Sequence, residues 1–418
     1  MKNAPYPYDP NAGDKPATGS LDAHEKIFVS RLIMTDFRSY AASQLDLVGE
    51  QPMVVLTGDN GAGKTNVLEA ISYAAPGRGL RGASLADVGR VGGGPWSVAL
   101  RLELKQADIH ETVKVGTGQD PARAANDSGT DSAKPAQRRI VRIDGEQSAN
   151  TSVLGDRWSI SWLTPQMDRL FIEGPSSRRR FLDRLVLGLF PDHSRQVSAF
   201  ERTMRDRNRL LADQGTSADS TWLSALEARM AEHAVAVAVA RLEFAGQIAG
   251  QIASAAESAF PKALLALDGW IETRLADGEQ PVDVETAYRE LLASERALDA
   301  RSGRTSSGVH KTDFIVTHAG KNMRADLCST GEQKALLIGL ILANARLQIA
   351  LRGQAPLMLM DEVAAHLDAD RRAALFDELA ALGSQCWLTG TDRSLFKSLM
   401  GKAEFFDVAH GVIQPCAV

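Results

Sequence analysis

Gly58-Asp59-Asn60-Gly61-Ala62-Gly63-Lys64-Thr65 fits the pattern G-x-x-x-x-G-K-[ST] and constrains this chain more than any other segment. Met53-Val54-Val55-Leu56 before it reads as a buried strand, Asn66-Val67-Leu68-Glu69-Ala70-Ile71 after it opens a helix, and no proline interrupts the passage. A strand that passes through a glycine-rich turn into a helix implies an α/β fold with the turn at the carboxyl end of a strand. The glycines let the backbone wrap a phosphate chain with its N–H groups, Lys64 reaches the terminal phosphates, and the Thr65 hydroxyl can ligate Mg²⁺. A nucleoside triphosphate is the expected ligand, held by Gly58 to Thr65 and by Asn66 at the helix start.

At 418 residues the chain has room for two or three domains, or for one large α/β unit with an insertion. Hydrophobic content of 44% and charged content of 24% exclude a disordered or fibrous class. The net charge of −5 argues against a uniformly basic nucleic-acid binder, so any DNA surface has to be local. Cys328, Cys386 and Cys416 are far apart and form no C-x-x-C, which disfavours a disulfide framework or a zinc site and suits a reducing cytoplasm. No uninterrupted apolar run suggests a membrane span, and the start Met1-Lys2-Asn3-Ala4-Pro5 lacks the apolar core of a signal peptide. The expected setting is cytoplasmic, without a membrane partner.

Residues 1–25 are rich in Pro, Gly, Asp and Ala and read as a flexible tail. A first lobe, 26–175, begins with a strand, a turn at Asp36-Phe37-Arg38-Ser39-Tyr40 and a second strand; Val98 to Leu104 and Arg139 to Asp144 alternate like edge strands. Residues 116–137 between them read as a mobile loop. After Gly174-Pro175, helical spacing near 178–190, 194–213, 221–260 and 283–298 marks a mostly helical insertion, 176–299. The alanine-rich stretch Thr221 to Phe260 lacks sustained heptads, so a coiled-coil arm is not indicated. The segment 300–418 returns to the first lobe with a strand at Phe314-Ile315-Val316-Thr317, a helix from Thr330 to about Leu351, and the run Leu357-Met358-Leu359-Met360.

That run ends in Asp361-Glu362, the form of a Walker B strand. Asp361 would hold Mg²⁺ directly or through water, and Glu362 would orient or deprotonate the attacking water. Ser329-Thr330-Gly331-Glu332-Gln333 opens the preceding helix, where Ser329, Gly331 and the helix N-terminus offer donors to an anion. Its placement resembles the signature motif of ABC-type ATPases, in which that anion is the γ-phosphate held by the other subunit; an ordinary capped helix remains the alternative. Gln166 stands where such ATPases carry the Q-loop glutamine that reaches metal and water, and Leu367-Asp368 resembles the D-loop, against a surface glutamine and an Asp N-cap as the plainer readings. Candidate catalytic residues are therefore Glu362, Lys64 and Gln166, and candidate metal ligands are Thr65, Asp361 and Gln166. Ser329, Gly331 and Asp368 join the nucleotide-binding set.

Further motifs resemble the RecF family of DNA replication and repair ATPases, relatives of SMC proteins. Asp36 to Tyr40 resembles its F-R-N-Y element, Gly174 to Asp183 its G-x-P-x-x-R-R-x-F-L-D stretch, Arg207 to Leu211 its R-N-x-L-L helix, Thr305 to Asp313 its T-x-x-G-P-H-R-x-D loop, and Ser329 to Lys334 its S-x-G-Q-Q-K signature. The resemblance runs from about Ile27 to Ile413. It implies an α/β, ABC-type ATPase head, a mixed sheet around a P-loop core, carrying an inserted mostly α-helical lobe. It also implies ATP and Mg²⁺ as cofactors, an ATP-dependent homodimer, double-stranded DNA near single-strand gaps, and RecO and RecR as partners in loading RecA. Arg38 is assigned either to nucleotide phosphates or to a salt bridge at the sheet edge. Arg178, Arg179, Arg180, Arg205, Arg207 and Arg209 are candidates for DNA, with a solvated helix face as the alternative. Departures are Val309, Lys311, Thr312 and Glu332 within the family motifs, and Thr391 where many ABC ATPases carry a switch histidine. An ABC-type ATPase of another class, transporter-coupled or SMC-like and structural, is the competing expectation.

Overall fold

The computed structural model describes residues 24–47, 51–120 and 138–416. Most of the expected tail, up to residue 23, lies outside them, as do residues 121–137 of the expected loop. β1 (Lys26–Phe37) and β2 (Tyr40–Asp46) form an antiparallel hairpin, turned at Arg38 with a φ of 52°. β3 (Met53–Thr57) leads into the helix Lys64–Ser72. β4 (Ser97–Gln106), β5 (Ile109–Gln119), β6 (Arg139–Ile143) and β7 (Glu146–Gln147) extend the hairpin into a sheet ordered β2-β1-β4-β5-β6-β7. Two expectations are corrected here. β4 and β6 are inner strands rather than edges: β4 lies between β1 and β5, and its alternate residues Val98, Leu100, Leu102 and Leu104 are buried. Gly116 to Gln119, expected in a loop, pair within β5 against β6. Glycine weakens the local strand signal, yet at Gly118 it is required, because a Cβ would stand 2.6 Å from the Trp96 carbonyl oxygen.

The remaining strands are β8 (Ile160–Leu163), β9 (Ala263–Asp268), β10 (Asp313–His318), β11 (Met323–Arg324), β12 (Leu357–Met360), β13 (Cys386–Gly390), β14 (Ala403–Ala409) and β15 (Val412–Pro415). A central sheet is ordered β15-β14-β3-β13-β12-β8, parallel throughout except for β15 at its edge. Because side chains alternate across a strand, each inner strand feeds two cores. Val54, Leu56, Leu357, Leu359 and Trp387 pack with Val67, Leu68 and Ile71 of the Lys64–Ser72 helix and with β1 and β4. Met53, Val55, Met358, Met360 and Leu388 pack on the other side, against Leu336, Leu337 and Ile341 of the helix Thr330–Arg352 and Leu375 of the helix Ala369–Ala381. The Thr330–Arg352 helix is long and apolar enough to cross a membrane, but 72% of its apolar window is buried inside the protein, so it serves as a core helix here.

Helices Pro175–Leu187, His193–Gln214, Ser220–Ser254, Trp270–Ala276, Pro281–Ser294 and Arg296–Ser302 build the region between the two halves of that sheet. Phe200, Met230, Ala234, Ile271, Tyr288 and Leu292 form a core shared by the second to fifth of these, while Phe181, Leu182 and Leu185 of the first pack into the core beside the central sheet. The long helix stops at Ser254, short of the expected Phe260, and the chain turns so that buried Phe260 packs against Gly339. β9 and β11, which sequence patterning missed, flank β10 in a small antiparallel sheet.

Two arginines considered for DNA are consumed by this packing. Arg207 is fully buried and donates to Glu227 at 3.0 Å, Asp299 at 2.7 Å and the Leu292 carbonyl at 2.8 Å. Arg178 is buried in a bidentate pair with Asp313, at 2.7 and 2.8 Å. Turning Arg207 outward to bind phosphate would leave the buried carboxylates of Glu227 and Asp299 unpaired, and turning Arg178 would break its ion pair with part-buried Asp313, which argues against both on a nucleic-acid surface. Arg179 donates to the Thr312 carbonyl, whereas Arg180, Arg205 and Arg209 are exposed.

Candidate nucleotide-binding site

The loop after β3 has backbone that only glycine adopts freely. Gly58, Gly61 and Gly63 have φ of 146°, 81° and 115°. A Cβ on Gly58 would stand 2.1 Å from the Val408 carbonyl oxygen of β14, and one on Gly63 2.7 Å from the Tyr40 hydroxyl. Tyr40 donates to the Gly63 carbonyl at 3.1 Å, so the first hairpin clamps the loop from outside. Asp59, Asn60 and Gly61 form its exposed crown, and Ala62 closes it by donating to the Asp59 carbonyl at 3.2 Å. The Lys64 ammonium is buried and donates to the Gly58 and Asp59 carbonyls at 2.7 and 2.9 Å. Burial lowers its pKa, opposed by the carboxylates of Glu362, Asp361 and Asp59.

Strand register brings the metal-type ligands together. Leu163 of β8 pairs with Met360 of β12, and Met360 with Leu388 of β13, so β8, β12 and β13 end side by side. Asp361, one residue beyond β12, receives the Thr65 hydroxyl at 3.0 Å on each carboxylate oxygen and the Thr389 hydroxyl at 2.7 Å. Thr389 also accepts from the Glu362 N–H at 2.8 Å. Glu362 has a φ of 50°, an uncommon conformation for a side-chain-bearing residue and one that recurs at functional positions. Burial pushes the Asp361 carboxyl above its usual range, more than the Thr389 and Thr65 hydroxyls draw it down. A buried carboxylate beside a hydroxyl is a fitting pair of oxygen ligands for Mg²⁺, whose charge would relieve that penalty. Gln166 is exposed in the turn Pro165–Arg169, directly beyond β8 and on the same sheet end. Thr391 is exposed as well, one residue past β13.

Arg38 pairs with Glu69 at 2.8 and 2.5 Å, an ion pair with the Lys64–Ser72 helix rather than at the sheet edge. Burial works against its charge, but Glu69 holds the guanidinium above its usual pKa. Arg81 pairs with the same carboxylate at 2.6 Å and donates to Asn66 at 2.8 Å, while Asn66 donates to Ser39 at 2.9 Å. Two guanidinium groups on one fully buried carboxylate leave a local positive excess beside the loop. Sequence reasoning missed Glu69, Arg81, Tyr40 and Thr389 as members of the site; the turn-rich run Pro76-Gly77-Arg78-Gly79-Leu80-Arg81 was the available signal for Arg81.

Ser329 is the N-cap of the Thr330–Arg352 helix in a capping box with Glu332. Its bonds are to its own helix: Ser329 N–H and hydroxyl donate to the Glu332 carboxylate at 3.0 and 2.9 Å. A Cβ on Gly331 would meet nothing within 4 Å, so the fold of the protomer does not itself demand glycine there. One turn on, the Lys334 ammonium donates to the Ala365 carbonyl at 2.9 Å and lies 3.5 Å from Asp168, tying this helix to the segments after β12 and β8. Asp368 caps the Ala369–Ala381 helix by accepting from the Arg371 N–H at 2.8 Å. Cys328, Cys386 and Cys416 are free thiols.

The family model described as the RecF/RecN/SMC N terminal domain matches residues 28–413. The chain is 48% identical over 390 residues to the DNA replication and repair protein RecF of Rhizobium rhizogenes, covering 93% of this chain and 98% of that protein. To the DNA replication and repair protein RecF of Agrobacterium fabrum it is 47% identical over 389 residues, again covering 93% and 98%. Among solved structures, the recombination mediator protein RecF with ATP, of the RecFOR pathway, superposes with a TM-score of 0.78 at 19% identity, covering 94% of this chain and 99% of that one, a likeness of fold.

Proposed function

The chain belongs to the RecF family of DNA replication and repair proteins, within the wider RecF/RecN/SMC group of ABC-type ATPase heads, and from that premise we propose that it is an ATP-switched clamp on DNA. The observation that carries the reading is the connected set Lys64, Thr65, Asp361, Thr389 and Glu362, which gathers a phosphate loop, metal-type ligands and a water-orienting carboxylate at one sheet end. Lys64 exchanges its two loop carbonyls for the β- and γ-phosphates of ATP. Thr65 and Asp361, with Gln166 from the turn beyond β8, would hold Mg²⁺, which would supply positive charge against that building on the phosphates. Glu362 orients the attacking water. Arg38 and Arg81 supply further positive charge beside the phosphates.

A second copy places Ser329 and Gly331 against the γ-phosphate, with Asp368 and the residues before it at the same interface, so that ATP joins two protomers around shared sites. Gly331 answers no packing demand within the protomer, which supports close approach of an outside group there. Hydrolysis removes the charge that holds the interface and lets the protomers part, as a weak, switching ATPase. The clamped substrate is double-stranded DNA near single-strand gaps, where the protein acts with RecO and RecR to load RecA. Arg180, Arg205 and Arg209 remain exposed for phosphate contacts.

The test is sedimentation of the full-length Glu362→Gln protein with and without Mg-ATP and with a fluorescent gapped duplex. An ATP-dependent dimer that carries the duplex is the expected result. A dimer that ignores DNA retains the ATPase engine and removes the clamp, and a protein that stays monomeric with ATP removes the shared site.

A further inference from the structure

The Ser329 donors that the proposed shared site offers to a γ-phosphate are already occupied by an anion of the protein's own. Glu332 receives the Ser329 N–H at 3.0 Å and the Ser329 hydroxyl at 2.9 Å on one carboxylate oxygen, while its other oxygen is paired with Lys321 from the turn Ala319–Lys321 between β10 and β11. Lys321 is half-exposed and Glu332 about one-fifth exposed, so the group faces outward. A serine hydroxyl has a single proton to donate. It cannot serve Glu332 and a phosphate together, and two anions cannot share one helix terminus without repulsion.

We propose that Glu332 is an internal occupant of the Ser329 donors, which the γ-phosphate held by a second copy has to displace, and that Lys321 is the cation that draws it aside. The inference rests on the shared-site reading above and adds the regulation of that site. Lys321 keeps Glu332 well below the usual carboxylate range, near a pKa of about 2, so the occupant stays charged through the physiological range and its removal is not a protonation event. Exchange is therefore governed by competition among charges: Glu332 resists closure, and Lys321 offsets that resistance and remains beside the helix N-terminus as a cation facing the incoming phosphate. A glutamine at position 332 would keep the capping geometry, since its amide oxygen accepts the same bonds, but would lose the repulsion.

The experiment titrates ATP against the full-length Glu362→Gln protein and reads dimer formation by sedimentation velocity, with protomer ATP binding followed by a fluorescent ATP analogue. Removing one unit of like charge near the phosphate should lower the ATP concentration for half-dimerisation about fivefold in Glu332→Gln. Lys321→Ala should raise it by a similar factor, and Lys321→Ala combined with Glu332→Gln should lose most of that increase, because Lys321 acts chiefly through Glu332. Half-points unchanged in both single variants, with Ser329→Arg still unable to dimerise, would overturn this inference alone. If Ser329→Arg dimerises normally, the shared site itself falls and the displacement with it. Lys321 lies on an exposed turn, so its variant keeps the test open even if Glu332→Gln disturbs the helix cap.

Discussion

Lys64 lies folded back onto the loop it serves, its ammonium satisfied by the Gly58 and Asp59 carbonyls. The atoms proposed to bind phosphate thus stabilise the loop without it, and Lys64→Ala should remove both functions: nucleotide binding measured by fluorescent ATP titration falls below detection, and ATP-dependent dimerisation is lost with it. Asp361 shows the opposite balance. Its carboxyl has a raised pKa in the fold, so the native state holds a proton more tightly than the unfolded chain, and the stability linked to this group falls as pH rises through the raised range. Asp361→Asn should therefore raise the thermal midpoint of the nucleotide-free protein by about 1–3 °C while abolishing ATP turnover, a trade of stability against function. A lower midpoint in scanning calorimetry would count against this view of the site. The P-loop residues, Asp361 and Glu362 could be read from sequence because their signals are local runs; Thr389 could not, because it joins them only through the register of β13 beside β12.

Among the elements, the Thr305 to Asp313 loop explains why a motif with little apparent chemistry has so definite a pattern. Gly308 has a φ of 132° and a Cβ there would lie 2.1 Å from the Tyr288 hydroxyl, Asp313 pairs with Arg178, and Thr305 receives Arg207 at 3.1 Å. His310 packs over Phe200 and bonds the Thr305 carbonyl at 3.0 Å. Burial pushes its pKa down to about 4. A histidine whose folded pKa lies below its unfolded value contributes stability that is present above about pH 6.5 and is lost as pH falls toward 4. The helical region should lose about 2 kcal/mol between pH 7 and pH 5 on this account, seen as faster amide exchange in the helices His193–Gln214 and Pro281–Ser294. His310→Phe, which keeps the aromatic packing, should flatten that dependence; an unchanged pH profile would assign it to other groups. Helical spacing announced this region, but the ion pairs of Arg178 and Arg207 are with residues distant in sequence, which is why a basic run read as a DNA surface turned out to be partly internal.

For the whole molecule, the two cores on either side of the central sheet join the phosphate loop and the Ser329 helix into one body, with Lys334 bridging to the segments after β12 and β8. A disturbance at Ser329 in one copy should consequently act on the site of the other. Ser329→Arg places a bulky cation at the proposed interface and should block ATP-dependent dimerisation, leaving a monomer in analytical ultracentrifugation at ATP concentrations that dimerise the parent. A normal dimer would remove the shared site from the account.

The sequence by itself determined the strand–loop–helix unit, the strand ending in Asp361-Glu362, the capped Ser329 helix and the family resemblance, because each is written in contiguous residues whose spacing reports backbone geometry directly. Tertiary structure alone decided that β4 and β6 are inner strands, that Glu69 collects both Arg38 and Arg81, that Arg207 is buried while Arg209 is exposed, and that Glu332 already occupies the donors of Ser329. The physical reason is that charge and hydrogen-bond partners are chosen by proximity in space: a lone arginine has the same sequence signal whether it faces water, a phosphate or a carboxylate from another element.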